Sequence, residues 1–453
     1  MVAVAHRVAK QTLLYPTLVA GNDGSGLSGL SELLLQRKLC QHICGYSRFY
    51  NSRRFYPASP MATPELTTKL PHVGTTVFSV MSALATRHNA INLGQGFPDF
   101  ECDPRLIEAV TEAMRQGHNQ YPLMTGVPLL RERVADKMES IHGVRYDSQT
   151  EVTITSGATQ GILSAILAVV RAGDEVVVLE PCYDSYRPNI ELAGGVTVPV
   201  RLKSESFDVD WDALSAAITF RTRAIIVNSP HNPSGRVWTA RDWDRLAELI
   251  ANREIWVFSD EVYEHMVFDR QDHVSAARHP LIRDRAFVIS SFGKTFHVTG
   301  WKIGTVCAPA PLTAEFRKVH QYTVFTANSA MQHGIARYLG DPVPYLNLPT
   351  FYQAKRDRFA AGLTGTILKL LPCEGSYLQC VNYAEVPVLR DFNERECCEW
   401  LTREIGVTPI PVSAFYSSPA EQKTIRFCFA KRDETLDGAL TRLAALGSAK
   451  AWA

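Results

Sequence analysis

The sequence predicts an α/β fold, with a large domain on a mostly parallel sheet and a smaller α+β domain after it. Three observations carry this. Short apolar runs alternate with helical patterns from about residue 105 onward, and polar residues cluster directly after several of those runs. After about residue 345 the alternation gives way to amphipathic helices and more isolated strands. Strands that alternate with helices need crossover connections, and the helices then cover both faces of a parallel sheet.

Taken in order, LPHVGTTVFSVMSALATRHNAINLGQGFPDF at 70–100 precedes the large domain and is expected to pack with the small one. RLIEAVTEAMRQG has helical periodicity and stops at glycine. EVTITSGATQGILSAILAVVRAGDEVVVLEP then reads strand, turn, helix, strand. Further strands are expected at GGVTVPVRL, RAIIVNSP, IWVFSDEVY and AFVISS, with ARDWDRLAELIANR a helix among them. In the last part, FYQAKRDRFAAGLTGTI reads as a long amphipathic helix. It is followed by strands at GSYLQCVNY and TIRFCFA and a helix at CCEWLTREIG. The expected division is an extension over 1–60, an arm and part of the small domain over 61–105, a large domain over 106–345 and a small domain over 346–446.

A chain of 453 residues is long enough for two or more domains, each with its own core. With 47 basic against 46 acidic residues, nothing supports a nucleic-acid-binding surface, and small molecules are the expected partners. No apolar run approaches the ~20 residues that span a bilayer, so no membrane role is expected. The ten cysteines lack the paired spacing of a metal site and read as reduced, mostly buried thiols.

The first sixty residues hold seven Lys or Arg and only Asp23 and Glu32 as acids. One reading is a mitochondrial transit peptide, which would place the protein in the matrix. The other is an extension upstream of a start at Met61, with a cytoplasmic protein behind it. The glycine-rich GNDGSGLSG would interrupt an amphipathic helix and favours the second reading.

In open α/β sheets, ligands bind beyond the carboxyl ends of the strands. AIIV runs into NSPHNPSG, WVFS into DEVYEH and FVIS into SFGKTF, which delivers Asn228 to Asn232, Asp260 to Tyr263, and Ser291 to Lys294 to one edge. Ser156, Gly157, Ala158 and Thr159 follow an earlier strand and precede a helix, where free N–H groups would suit a phosphate. A lysine in a desolvated pocket loses its proton more easily and can form a Schiff base. A carboxylate nearby suits a protonated pyridine nitrogen, the arrangement that pyridoxal phosphate needs. Neither a G-x-G-x-x-G fingerprint nor a Walker-type loop is present, which disfavours dinucleotides and nucleoside triphosphates.

NLGQGFPDF, NQYPLMTGVPLLRE, SGATQG, PCYDSY, NSPHNPSG, SDEVYEH, SFGKTFHVTGWK and IRFCFAK, in this order, resemble the class I aminotransferases of fold type I. The likeness runs from about residue 65 to 446 and points to the branch of bacterial methionine aminotransferase and kynurenine–oxoglutarate aminotransferase. The resemblance implies pyridoxal 5'-phosphate as cofactor and a homodimer with shared active sites. Lys294 would carry the cofactor and then act as the base, Asp260 would pair with the pyridine nitrogen, and Tyr263 and Asn232 would bond its phenolic oxygen. Tyr183 would lie on the ring face. Gly157, Ala158, Thr159, Ser291 and Lys302 would hold the phosphate, helped by Tyr121 from the neighbouring subunit. Arg426 and Gly96 would receive the substrate carboxylate and Phe325 its side chain. By the same likeness, the donors are apolar, aromatic or sulfur-containing amino acids and the acceptors 2-oxo acids.

Taken singly, each residue has a plainer reading. Lys294 could be a loop charge, Asp260 a helix N-cap, Asn232 a turn residue, Tyr183 core, and Arg426 an exposed strand position. The motifs taken together favour the catalytic reading. Alternatives are a cysteine-conjugate β-lyase on the same cofactor, a fold that has lost its chemistry, and an NAD-linked enzyme. His297 stands where many relatives have a small or polar residue, and Ala158 where part of the family has glycine. No role is assigned to His297.

Overall fold

The computed structural model describes residues 64–418 and 420–447. The expectations for residues 1–60 and for the start at Met61 lie outside the described residues.

The helix expected near 105 spans Pro104–Arg115, with Asp103 accepting from the Arg105 N–H at its start. Proline at the first turn gives up an N–H that has no helical partner anyway. The helix expected at 240 spans Ala240–Ile250 behind a reciprocal cap, in which Thr239 and Asp242 each accept from the other's backbone N–H.

A short strand β1 (Ile91–Asn92) precedes the main sheet. Seven strands form that sheet: β2 (Val152–Thr155), β3 (Glu175–Glu180), β4 (Val196–Arg201), β5 (Thr222–Asn228), β6 (Trp256–Asp260), β7 (Ala286–Ser291) and β8 (Gly304–Cys307). Their spatial order is β2-β8-β7-β6-β5-β3-β4. Pairing is parallel from β7 through to β4, and only β8 runs against the others, between β2 and β7.

Alternate residues of these strands feed two separate cores, as the two-residue period of a strand requires. Val177, Leu179, Ile225 and Val227 join the core that includes Val134 and Met138 of the Pro128–His142 helix. Val176, Val178, Ala224 and Ile226 join Ile162 and Ile166 of the Gly157–Val169 helix. Both faces are therefore covered. At ~25 cal/mol per Å² of apolar surface, this two-sided burial is the main favourable term in holding the sheet.

The last third forms a second sheet in the order β12-β13-β10-β9, from β9 (Lys369–Leu370), β10 (Leu378–Asn382), β12 (Ile410–Pro411) and β13 (Thr424–Cys428). All its pairings are antiparallel. β11 (Val407–Thr408) lies outside it and pairs in parallel with β1, Ile91 opposite Val407. The segment before the main sheet is thus joined by backbone hydrogen bonds to the C-terminal part. Among the described residues no helix is long and apolar enough to cross a membrane. The eight described cysteines are free thiols.

Candidate active site

β5, β6 and β7 end side by side. Asn228 is opposite Asp260, and Asp260 is opposite Ile289, so the turns that follow emerge at one edge. Between them lies a cavity of about 150 Å³. Ala158, Thr159, Tyr183, Asn232, Asp260, Tyr263, Ser291, Lys294 and Lys302 all line it. Nine of the residues singled out from sequence therefore share one wall.

Lys294 sits in a single helical turn, Phe292–Thr295, that starts at the end of β7. Its Nζ donates to Tyr377 Oη at 2.8 Å and to the Gly96 carbonyl at 3.1 Å. Burial lowers its pKa from 10.5 to about 8, with the charges of Lys302 and Arg426 acting in the same direction. The ring faces of Tyr263 and Tyr377, 5.5 and 5.4 Å from Nζ, favour the cation, but burial wins. A pKa near 8 leaves about a tenth of this amine unprotonated near neutral pH, far more than in an ordinary surface lysine.

Asp260 is buried at the end of β6, where loss of solvent raises its pKa from 3.8 to about 6. Tyr186 donates to its Oδ2 at 2.6 Å, and the Val262 N–H donates to Oδ1 at 3.3 Å, which partly offsets the burial. Sequence reasoning missed Tyr186. The signal was its place three residues after Tyr183, in the same turn. Asn228 donates to the Asp260 carbonyl at 2.9 Å and accepts from the Asn232 N–H at 2.7 Å. It ties two of the strand-end turns together.

Gly157 opens a helix of 13 residues with φ +75°. A Cβ there would lie 3.2 Å from Lys302 Cε, so glycine lets the lysine cross the helix N-terminus. Free N–H groups, the positive end of the helix dipole, the Ser291 hydroxyl and the Lys302 ammonium make an anion site.

Arg426 comes from β13, where it is 1% exposed, which excludes the plain reading as a surface strand residue. Its guanidinium rests against the rings of Phe78 and Phe415, at 5.3 and 5.2 Å, which meet each other at 5.9 Å. Nη1 donates to Asn232 Oδ1 at 2.9 Å and Nη2 to the Gly94 carbonyl at 2.8 Å. Nε is buried and has no partner among the described residues. Holding a buried guanidinium this way leaves donor capacity directed at an incoming carboxylate.

Gly96 takes part through its carbonyl. A Cβ at this position would make only an ordinary contact, 3.9 Å from Tyr377, so packing within the chain does not require glycine there. Tyr121 and Phe325 lie outside the cavity wall. They are 83% and 42% exposed and meet each other edge to face at 5.4 Å. His297 packs among Phe100, Phe351 and Tyr352 at 5.0 to 5.8 Å, away from the cavity wall. Its buried Nε2 has no partner among the described residues, and burial lowers its pKa to about 4.

No group of three or more His, Cys, Asp or Glu side chains that could hold a metal ion occurs among the described residues. The fold thus gathers a half-buried lysine amine, a helix N-terminus beside Lys302 and a forked cation at one end of an α/β sheet. The family model for class I and II aminotransferases matches residues 88–443, and the chain belongs to that family. It is 49% identical over 376 residues to a methionine aminotransferase of Escherichia coli, covering 83% of this chain and 97% of that one. It is 34% identical over 391 residues to kynurenine–oxoglutarate transaminase 3 of Rattus norvegicus, covering 80% and 86% of the two chains. A crystal structure from Escherichia coli, described with a methionine aminotransferase function, superposes with a TM-score of 0.82 at 47% identity, over 84% of this chain and all of that one.

Proposed function

We propose that the protein is a pyridoxal phosphate-dependent aminotransferase that takes apolar, aromatic or sulfur-containing amino acids, methionine foremost, and passes the amino group to 2-oxo acids. The single observation that carries the reading is the convergence of Lys294, Asp260 and the Gly157–Lys302 cradle on one cavity.

The residues fit the cofactor. An anion cradle, an acid held close to neutral pH and an amine with a lowered pKa line the same wall. When bound, pyridoxal phosphate supplies a carbonyl carbon for the amino group and a ring that accepts electrons from the substrate Cα. Gly157, Ala158, Thr159, Ser291 and Lys302 would hold its phosphate, and Asp260 its ring nitrogen. Tyr263 and Asn232 would face its phenolic oxygen, and Tyr183 would lie against the ring.

Arg426 grips the substrate carboxylate through its fork and so turns Cα toward Lys294. Lys294 then removes the proton from Cα and returns it further along the reaction. The cavity wall itself carries no arginine among the described residues, and Arg426 is committed to the substrate's own carboxylate in this reading. The methionine aminotransferase at 49% identity supports a sulfur-containing donor. Exposure of Tyr121 and Phe325 supports a homodimer in which each subunit lends these residues to the other's site. The residues over 106–345 would form the cofactor domain, and those over 346–446 the smaller one.

Purified protein should be yellow, lose its colour on borohydride treatment and carry the reduced label on Lys294. A colourless protein that takes up no pyridoxal phosphate would sink the reading. A panel of amino acids crossed with 2-oxo acids then ranks the substrates.

A further inference from the structure

Lys294 Nζ reaches only two oxygens among the described residues, Tyr377 Oη and the Gly96 carbonyl. Tyr377 directs its own hydrogen to that same carbonyl at 2.6 Å. A phenol has one hydrogen to give, so toward Lys294 the Tyr377 oxygen serves as acceptor. A neutral amine has two N–H bonds and one lone pair. Here both oxygens lie on one side of the nitrogen, only 2.6 Å apart, so N–H donation points that way and the lone pair can face the other side. An ammonium would bring a third N–H without a partner into a desolvated place.

Tyr377 is held firmly enough to set this orientation. It is 0% exposed, its carbonyl accepts from the Phe429 N–H at 3.0 Å, and its ring meets those of Tyr263 and Tyr352 at 5.1 and 5.7 Å. The other groups that act on the amine are the cations Lys302 and Arg426, the carboxylate of Asp260, the Cys428 thiol and the Tyr263 ring.

We propose that Tyr377 is a further catalytic residue. Its hydroxyl, locked as an acceptor by the Gly96 carbonyl, orients the free Lys294 amine so that its lone pair is available. Burial is what lowers the proton affinity. The proposal rests on the reading of Lys294 as the proton carrier. When that lone pair takes the substrate Cα proton, the new N–H bond has no partner at this station, which favours giving the proton back.

Tyr377→Phe keeps the ring and its packing and removes only the acceptor. It should lower kcat roughly tenfold to a hundredfold with KM little changed. In cofactor-free protein, the Lys294 amine can be followed by the pH dependence of its reductive methylation, located by mass spectrometry. Its midpoint should move to lower pH in Tyr377→Phe, because the ammonium loses more than the amine when an acceptor goes. Tyr352→Phe, which removes a neighbouring buried hydroxyl without a partner among the described residues, should change neither.

A wild-type kcat or an unmoved midpoint in Tyr377→Phe overturns the proposal. Failure of the cofactor reading looks different: the wild-type protein takes up no pyridoxal phosphate, while the difference in amine titration persists.

Discussion

Tyr186 donates a 2.6 Å hydrogen bond to Asp260 Oδ2 from 74 residues away in the chain, and so holds down a carboxylate that burial pushes up. The acid therefore loses its proton at about 6, above its ordinary 3.8. Between those values the folded protein holds the proton more tightly than the unfolded chain. This group's contribution to stability is full below the window and is lost as pH rises through it. Tyr186→Phe removes a bond that favours the ionised form. The acid limb of kcat/KM should then move to higher pH, and pH–rate profiles of the two proteins test it. Coincident limbs would mean that Asp260 does not govern activity.

Arg426→Lys keeps the charge but loses the planar fork, along with one of the bonds to Asn232 or Gly94. Hydrogen bonds to charged groups contribute ~1.5–3 kcal/mol, so kcat/KM for the amino donor should fall about 10- to 100-fold, mainly through KM. Steady-state kinetics with methionine as donor measure this. An unchanged KM would remove Arg426 from carboxylate binding.

Gly157→Ala combines a left-handed backbone with a methyl group against Lys302. The conformational cost is ~1–2 kcal/mol, and Lys302 must shift from the helix N-terminus. Affinity for pyridoxal phosphate, read by equilibrium dialysis, should drop more than the urea midpoint does. Equal affinity would show that the cradle does not rely on this close approach.

Glu264 accepts from Lys137 Nζ at 2.6 Å and also from the Ser290 hydroxyl, joining the turn after Asp260 to the strand that leads into the Lys294 turn. Both partners of the ion pair are buried, with side-chain exposures of 7% and 3%. Lys137→Met leaves the buried carboxylate without its ammonium, with the Ser290 hydroxyl and His142 still beside it, which should cost about 3 kcal/mol in urea unfolding. Adding Glu264→Gln should recover part of that loss. If Lys137→Met alone unfolds like the wild type, the pair contributes nothing to stability.

Much of the site could be read from the chain because a parallel sheet turns sequence order into spatial order. Asn228, Asp260 and Ser291 each end an apolar run, and adjacent parallel strands bring their ends together. The reversed direction of β8 could not be read, since GTVC has the same apolar pattern either way along the sheet. Tyr377 also escaped. It lies 83 residues from Lys294, at the entrance to a strand that reads as ordinary core. His297, conspicuous in its motif, turned out to pack among aromatic rings.

The sequence by itself determined the α/β class, the family and the set of groups that meet at the strand ends, because periodicity and local motifs are properties of neighbours in the chain. Only the tertiary structure decided how those groups are tuned. Burial sets the proton affinities of Lys294 and Asp260. The partners that hold them, Tyr377 and Tyr186, and the two rings that pack against Arg426, arrive from distant segments. Desolvation and hydrogen bonding depend on what surrounds an atom in space, and no local stretch of chain encodes that.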